Sequence, residues 1–150
     1  MTSNAGKAKL YGNFIVDKET LATGMAYLDK TRYLLYLLAA IVLIQGILAY
    51  QSTGNGLLIG THGFTALLFA LSGFLTTKQP LAGIWFSVMY YVVFLISDYR
   101  SDASTLYQDL PWKAVIFVLL IVALVIGYKG YNILKKKDAE NVAAMSENED

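Results

Sequence analysis

The chain has 150 residues, of which 56% are hydrophobic and only 15% are charged, and its formal net charge is +1. Because the sequence contains no cysteine, disulfides, thiolate catalysis and cysteine-based metal sites are excluded. The near-neutral charge and the lack of a basic stripe interleaved with aromatic residues speak against nucleic-acid binding. The charges avoid long stretches of the chain, which indicates an integral membrane protein.

Residues 1–32 are polar and mixed, unlike a cleavable signal peptide, so the first apolar segment after them is interpreted as a retained signal anchor. Leu21, Met25 and Leu28 recur at helical spacing between charged ends. This pattern predicts an amphipathic helix over residues 16–32. The helix either lies on the membrane surface or runs into the first apolar segment as its N-terminal extension.

Four apolar segments follow, and each is near the roughly 20 residues that a helix needs to cross about 30 Å of hydrocarbon. Isolated strands would leave backbone groups unpaired in lipid, so the segments are expected to be helices. The short connections make neighbouring helices antiparallel. The predicted fold is therefore all-α, an integral membrane four-transmembrane-helix bundle with up-down-up-down topology. Its transmembrane domain covers 33–134, with crossings at 33–50, 56–76, 80–97 and 112–134.

The ends of the later segments carry helix signals. Pro80 suits the first turn of the third helix, where its missing N–H is not needed. Asp109 is a candidate N-cap of the fourth helix, with Pro111 in the first turn. The polar tail, residues 135–150, is predicted to be flexible or a frayed helix.

Lysine and arginine are concentrated on the two terminal sides of the apolar domain, whereas the first loop, residues 51–55, has none. By the positive-inside rule, both termini are expected to be cytoplasmic. The basic residues on the terminal sides are Lys7, Lys9, Lys18, Lys30 and Arg32 before the first crossing, and Lys129, Lys135, Lys136 and Lys137 around the end of the last.

The only histidine, His62, lies within the otherwise apolar second segment. On a helical wheel it shares a side with small and polar residues, which favours contact with protein rather than lipid. Counting from the outer helix ends places Gln45, His62 and Tyr91 at one level, with Asp98 above them. This polar layer is either a set of interhelical hydrogen bonds or a binding site, in which His62 holds a haem or chlorin or relays protons.

Several small residues are predicted to mediate helix packing. Gly56 and Gly60 form a GxxxG match, which favours close helix approach and self-association, or is a chance match in a glycine-rich helix. The other predicted packing positions are Ala66, Gly73, Gly83 and Ser87.

The second half of the chain has a Lys-Gln-Pro turn at 78–80, a D-x-x-T loop at 102–105, Lys113 at the start of the last segment and three lysines at 135–137. In these features it resembles small four-helix bacterial membrane proteins of unknown function. The resemblance covers about half of the chain. It implies the fold and no activity.

The sequence contains no HExxH, Walker or GxSxG motif and no visible nucleophile–base pair, and no acidic pair lies deep in an apolar segment. We therefore expect a protein that is not an enzyme, with no metal site. The leading hypothesis is an accessory or scaffold subunit of a larger membrane complex, in contact with lipid and with other subunits or its own copies. The alternatives are a homo-oligomeric small transporter or channel with an outer-leaflet polar pocket, and a pigment- or haem-binding subunit that uses His62.

Overall fold

The computed structural model describes residues 18–101 and 110–146, and the elements in these ranges are all α-helices. Side chains are described for residues 19–96 and 110–143. The helices are α1 (Lys18–Thr53), α2 (Gly56–Leu75), α3 (Pro80–Ser101) and α4 (Leu110–Ser146).

Three of the four helices, α1, α2 and α4, are long and apolar enough to cross a membrane. The described part of the chain is thus all-helical, and its three membrane-length apolar helices indicate an integral membrane protein. The apolar part of α3, Pro80–Ile96, is shorter. At 1.5 Å per residue it spans about 26 Å, slightly less than the hydrocarbon thickness of about 30 Å. A crossing by α3 therefore remains a proposal.

The first two connections are tight because local hydrogen bonds close them. Gly54 adopts a φ of +68°, which glycine tolerates, and its N–H donates to the Tyr50 carbonyl at 2.8 Å. The side chain of Asn55 then accepts a hydrogen bond from the Leu57 N–H at 3.0 Å and caps α2. Pro80 opens α3 as expected. Pro111 lies in the first turn of α4, whereas Asp109 lies outside the described residues.

Both long helices extend beyond their apolar segments. α1 is one continuous helix of 36 residues, so the predicted amphipathic segment runs into the first crossing over its described part. α4 has 37 residues and remains helical to Ser146, so the described part of the tail, predicted to be flexible or a frayed helix, is helical. The tail is rich in good helix formers, and Lys137 and Glu140 form an ion pair across one turn at 3.1 Å.

All four helices contribute to one central core. Tyr91 and Phe69 are the largest side chains that are fully buried there, and Ala66 lets the helices approach. The buried members of this core are Leu35, Leu38 and Val42 from α1, Ala66 and Phe69 from α2, Tyr91 from α3, and Ile116 and Leu120 from α4.

Helix α2 shows the two faces that its sequence predicts. Its inward face is small and polar apart from one aromatic ring, and its outward face carries large apolar side chains. This is the arrangement of a helix that packs on protein with one face and meets lipid with the other. The buried residues are Thr65, Ala66, Phe69, Ser72 and Gly73, and the exposed ones include Leu57, Phe64, Leu67, Leu71 and Leu75.

Beyond the bundle, α1 and α4 form what we call the terminal helix pair, residues 18–30 and 128–146. The pair begins where Gly127 faces Thr31 of α1 and Ile84 of α3. Leu28 and Leu134 form a second buried cluster there, separate from the central core. At 1.5 Å per residue, the two parts are about 20 and 28 Å long.

Glycines set the close approach within the terminal helix pair. A Cβ on Gly24 would lie 2.6 Å from the Leu134 side chain, and a Cβ on Gly130 would lie 3.0 Å from the Gly24 carbonyl oxygen. Any larger side chain at these positions would push the helices apart. The two helices run antiparallel, since Gly24 meets Leu134 and Thr31 meets Gly127.

Alanine substitutions at two glycines, Gly83 and Gly60, are expected to change stability differently, because only Gly83 packs against the backbone of another helix. A Cβ on Gly83 would lie 2.7 Å from the Ser72 carbonyl oxygen and from the Thr76 nitrogen, whereas a Cβ on Gly60 would meet nothing within 4 Å. We expect Gly83→Ala to lower the free energy of unfolding by about 1–3 kcal/mol, because α2 and α3 must separate.

The matched control is Gly60→Ala, which adds the same methyl group to the neighbouring helix. It should leave stability unchanged or raise it by up to about 1 kcal/mol through helix propensity. Unfolding of the detergent-solubilised protein, followed by circular dichroism, measures both. Equal effects of the two substitutions would contradict the close α2–α3 contact.

Candidate functional site

His62 sits at a close contact between α1 and α2. A Cβ on Gly46 of α1 would lie 2.5 Å from the Cβ of His62, so only glycine leaves room for the imidazole at this contact. His62 itself is half-buried. Its environment therefore depends on Gly46, a residue that the sequence analysis did not select because Gln45 beside it was the visible polar group.

One hydrogen bond of His62 defines the state of its ring. The Nδ1 atom lies 2.8 Å from the carbonyl oxygen of Leu58, one turn earlier in α2. A carbonyl can only accept, so we infer that Nδ1 carries the proton. In the neutral ring, Nε2 then bears the lone pair. It is able to accept a hydrogen bond or to ligate a metal in a cofactor.

Gln45 carries a buried hydrogen-bond donor that is not satisfied. Its amide nitrogen Nε2 is buried and has no hydrogen-bond partner within the described part of the chain. An unsatisfied buried donor is unfavourable by about 1–3 kcal/mol. This amide therefore either destabilises the bundle slightly or donates a hydrogen bond to a group outside the described chain.

Tyr91 connects α3 to α4. Its side chain is 1% exposed, and its hydroxyl donates to the backbone carbonyl of Lys113 at 2.9 Å. Its ring packs against Phe69 and Phe94, with centroid distances of 6.2 and 6.1 Å. Tyr91 thus links α3 to the first turn of α4 through the hydrogen bond of its hydroxyl.

The neighbouring Tyr90 connects α3 to α2. Its hydroxyl lies 3.1 Å from the hydroxyl of Thr65, which also donates to the Thr61 carbonyl. The Tyr90 ring meets Phe64 edge-on at 6.4 Å. Thr65 is one of the polar residues on the inward face of α2, and no sequence pattern marks its contact with Tyr90.

The observed contacts of the predicted polar layer lie at two helix interfaces. His62 lies at the α1–α2 contact, opposite Gly46, the residue that follows Gln45 in the chain. Tyr91 reaches α4 through its hydroxyl. Asp98 belongs to α3, but its side chain lies outside the described ones. A single layer that joins all four residues stays a prediction.

The predicted packing residues have different surroundings. Ala66 and Ser87 are buried, and the Ser87 hydroxyl donates to the Ile84 carbonyl at 2.7 Å. A Cβ on Gly73 would lie 2.7 Å from the Tyr36 ring, and Gly83 faces the backbone of α2. Gly56 and Gly60 face open space within this chain, so their motif is available to a neighbouring molecule.

Chemically, this layer offers one imidazole nitrogen and one buried amide. Within the described ranges, no group of three or more His, Cys, Asp or Glu residues could hold a metal ion. Comparisons with protein families, with curated proteins and with solved structures find no match to the chain.

The unsatisfied amide generates a prediction about stability. We expect Gln45→Met, which keeps the length of the side chain and removes the buried N–H groups, to raise the free energy of unfolding by about 1 kcal/mol. The control is Gln51→Met at an exposed position of the same helix, which should change nothing. Thermal unfolding in detergent measures both variants. A loss of stability in Gln45→Met would show that the amide has a partner in the folded protein.

Proposed function

We propose that this protein is a small polytopic membrane protein that acts as an accessory or scaffold subunit of a larger membrane complex. The observation that carries the proposal is the terminal helix pair. A bundle alone needs helices only as long as the bilayer, yet α1 and α4 have 36 and 37 residues. Their extensions pack together through Gly24 and Gly130. Such a projection offers a partner a preformed surface outside the lipid.

The α1 side of the terminal helix pair is suited to a partner helix. A shallow open groove runs along it, lined by Ala22, Thr23, Ala26, Tyr27 and Lys30. Ala22 and Ala26 lie one turn apart and are exposed, so a partner helix can approach the backbone closely. Lys30 lies over the Tyr27 ring at 5.7 Å and closes one end of the groove.

For the membrane arrangement, we propose that α3 is the fourth crossing and that both termini are cytoplasmic, in a bacterial inner membrane. α3 contacts α2 near its first turn, through Gly83 against Thr76, and near its middle, through Tyr90 against Thr65. Because α2 is long enough to cross, a helix that packs along it from one end to the middle is directed through the same layer. The apolar part of α3 is a few ångströms shorter than the hydrocarbon layer, and local thinning of the bilayer accommodates this difference.

Single cysteines test this topology cleanly, because the chain has no cysteine of its own. Ser52→Cys lies at the end of α1 that faces away from the termini, and Ala139→Cys lies in the terminal helix pair; both positions are exposed. We expect a membrane-impermeant maleimide to label Ser52→Cys on intact cells and Ala139→Cys only after permeabilisation. With three crossings instead of four, the chain ends would lie on opposite sides. Labelling of Ala139→Cys on intact cells would therefore overturn the arrangement.

The accessory role predicts a stoichiometric partner that depends on the α1 groove. After purification in mild detergent, we expect another membrane subunit to accompany the protein. The double substitution Ala22→Arg, Ala26→Arg should reduce its recovery several-fold, because bulky charged side chains fill the groove. The control is Ser52→Arg at the opposite end of α1. Migration as a lone monomer, or equal recovery with the groove variant, would contradict the proposal.

Two other functions each have one supporting observation. A homo-oligomeric transporter or channel would give the buried Gln45 amide and His62 a permeating partner. Loss of flux in liposomes carrying His62→Ala supports it, and wild-type flux removes His62 from the mechanism. A pigment- or haem-binding subunit would use the Nε2 lone pair that the Nδ1 hydrogen bond leaves to His62. A colourless purified protein would exclude that role.

A further inference from the structure

A second groove lies on α4, where the helix leaves its apolar segment. Its lining residues are Val125, Tyr128, Lys129, Asn132, Ile133 and Lys136. They follow one another by one or three residues, so they form a single face of the helix. Along this face, Val125 is followed by Tyr128 and Lys129, then by Asn132 and Ile133, and last by Lys136, over about 17 Å.

The apolar end of this face continues into the bundle. Val118 and Ile121 precede Val125, the first lining residue, at helical spacing, and all three are exposed. Since α4 is long and apolar enough to cross a membrane, these side chains meet acyl chains. The groove therefore begins where an acyl chain lies along the helix, and it ends outside the hydrocarbon.

The basic side chains of this face are Lys129 and Lys136, two turns apart on the helix. Lys129 is positioned by the Tyr27 ring of α1, with its Nζ 5.0 Å from the ring centroid. Neither Lys129 nor Lys136 forms an ion pair with a described residue, whereas Arg32 is paired with Asp29 and Lys137 with Glu140. The charge of this groove is thus not neutralised by a carboxylate within the described chain.

We propose that this groove binds an anionic phospholipid, with the acyl chain along Val118, Ile121 and Val125 and the phosphate between Lys129 and Lys136. The side-chain amide of Asn132 and the hydroxyl of Tyr128 lie between these two ends and are able to donate hydrogen bonds to the headgroup. Basic side chains next to a membrane-spanning helix attract anionic lipids. A lipid fits better than an acidic peptide, because the apolar half of the stripe needs an apolar occupant. This inference rests on the membrane placement of α4 and not on the accessory role.

The test is a lipid titration of the purified full-length protein in detergent, followed by native mass spectrometry. Dioleoylphosphatidylglycerol should bind, and dioleoylphosphatidylcholine should bind much more weakly. Each basic side chain at an anionic surface is worth about a fivefold change in binding, so Lys129→Gln, Lys136→Gln should weaken phosphatidylglycerol binding by about 25-fold. The charge-preserving Lys129→Arg, Lys136→Arg variant should retain binding.

The matched control is Lys135→Gln, Lys137→Gln, which removes the same charge from the same helix outside the groove lining. It should weaken binding by less than about threefold, as expected for a screened long-range effect. Circular dichroism and thermal unfolding should show that both glutamine variants are folded. Equal losses in the two variants, equal binding of the two lipids, or displacement of the lipid by excess glycerol phosphate would overturn the proposal. Because no partner protein takes part, this result is independent of the co-purification experiment.

Discussion

Helices in hydrocarbon gain little from burying apolar side chains against one another, so their association depends on how closely they pack and on which polar groups they satisfy. In this chain, the close approach is made by glycines that each receive one specific neighbour. Gly46 faces His62, Gly73 faces Tyr36, and Gly83 faces the backbone around Thr76. These three contacts position α1, α2 and α3 relative to one another. The packing of the helices then determines which polar groups meet.

Most hydroxyl groups in the bundle are satisfied by the backbone of their own helix. Ser72 donates to the Leu68 carbonyl and Ser87 to the Ile84 carbonyl. Such local bonds remove the need for an interhelical partner, so these residues act mainly as small side chains that permit close packing. Tyr91 is different, because its hydroxyl reaches the Lys113 carbonyl on another helix. Gln45 differs from both groups, because its amide nitrogen has no hydrogen-bond partner on its own helix or on another one within the described chain.

The pattern of the sequence predicts those features that depend on one helix at a time. The inward face of α2, the opening of α3 at Pro80 and the all-helical class all follow from spacing and composition. The contacts of Gly24, Gly46 and Gly130 depend on residues far away in the chain, and no local motif marks them. Conversely, the GxxxG match at Gly56 and Gly60 is a local motif, and both glycines face open space in the isolated chain.

The structure also changes what the single histidine implies. Depth along the helices predicts a layer that joins His62 to Tyr91, but helix depth does not specify which helices face each other at that depth. The observed interfaces are α1 with α2 at His62 and α3 with α4 at Tyr91. An isolated imidazole with Nδ1 bound to its own helix needs no second polar residue for stability. Its contact with Gly46 fits the packing interpretation, whereas the proposed chemical roles would use Nε2.

In the proposed membrane arrangement, water instead of lipid surrounds the terminal helix pair, so its packing depends on different interactions. Close approach at Gly24 and Gly130 is supplemented there by the buried leucines Leu28 and Leu134, which gain from leaving water. In this arrangement, α4 packs on the bundle, presents an apolar stripe to lipid, and continues as a charged helix outside the membrane. A change of solvent along one continuous helix requires a transition in side-chain chemistry. The segment from Val125 to Lys136 carries apolar and basic side chains on a single face, and the proposal of a lipid headgroup at this face rests on that combination.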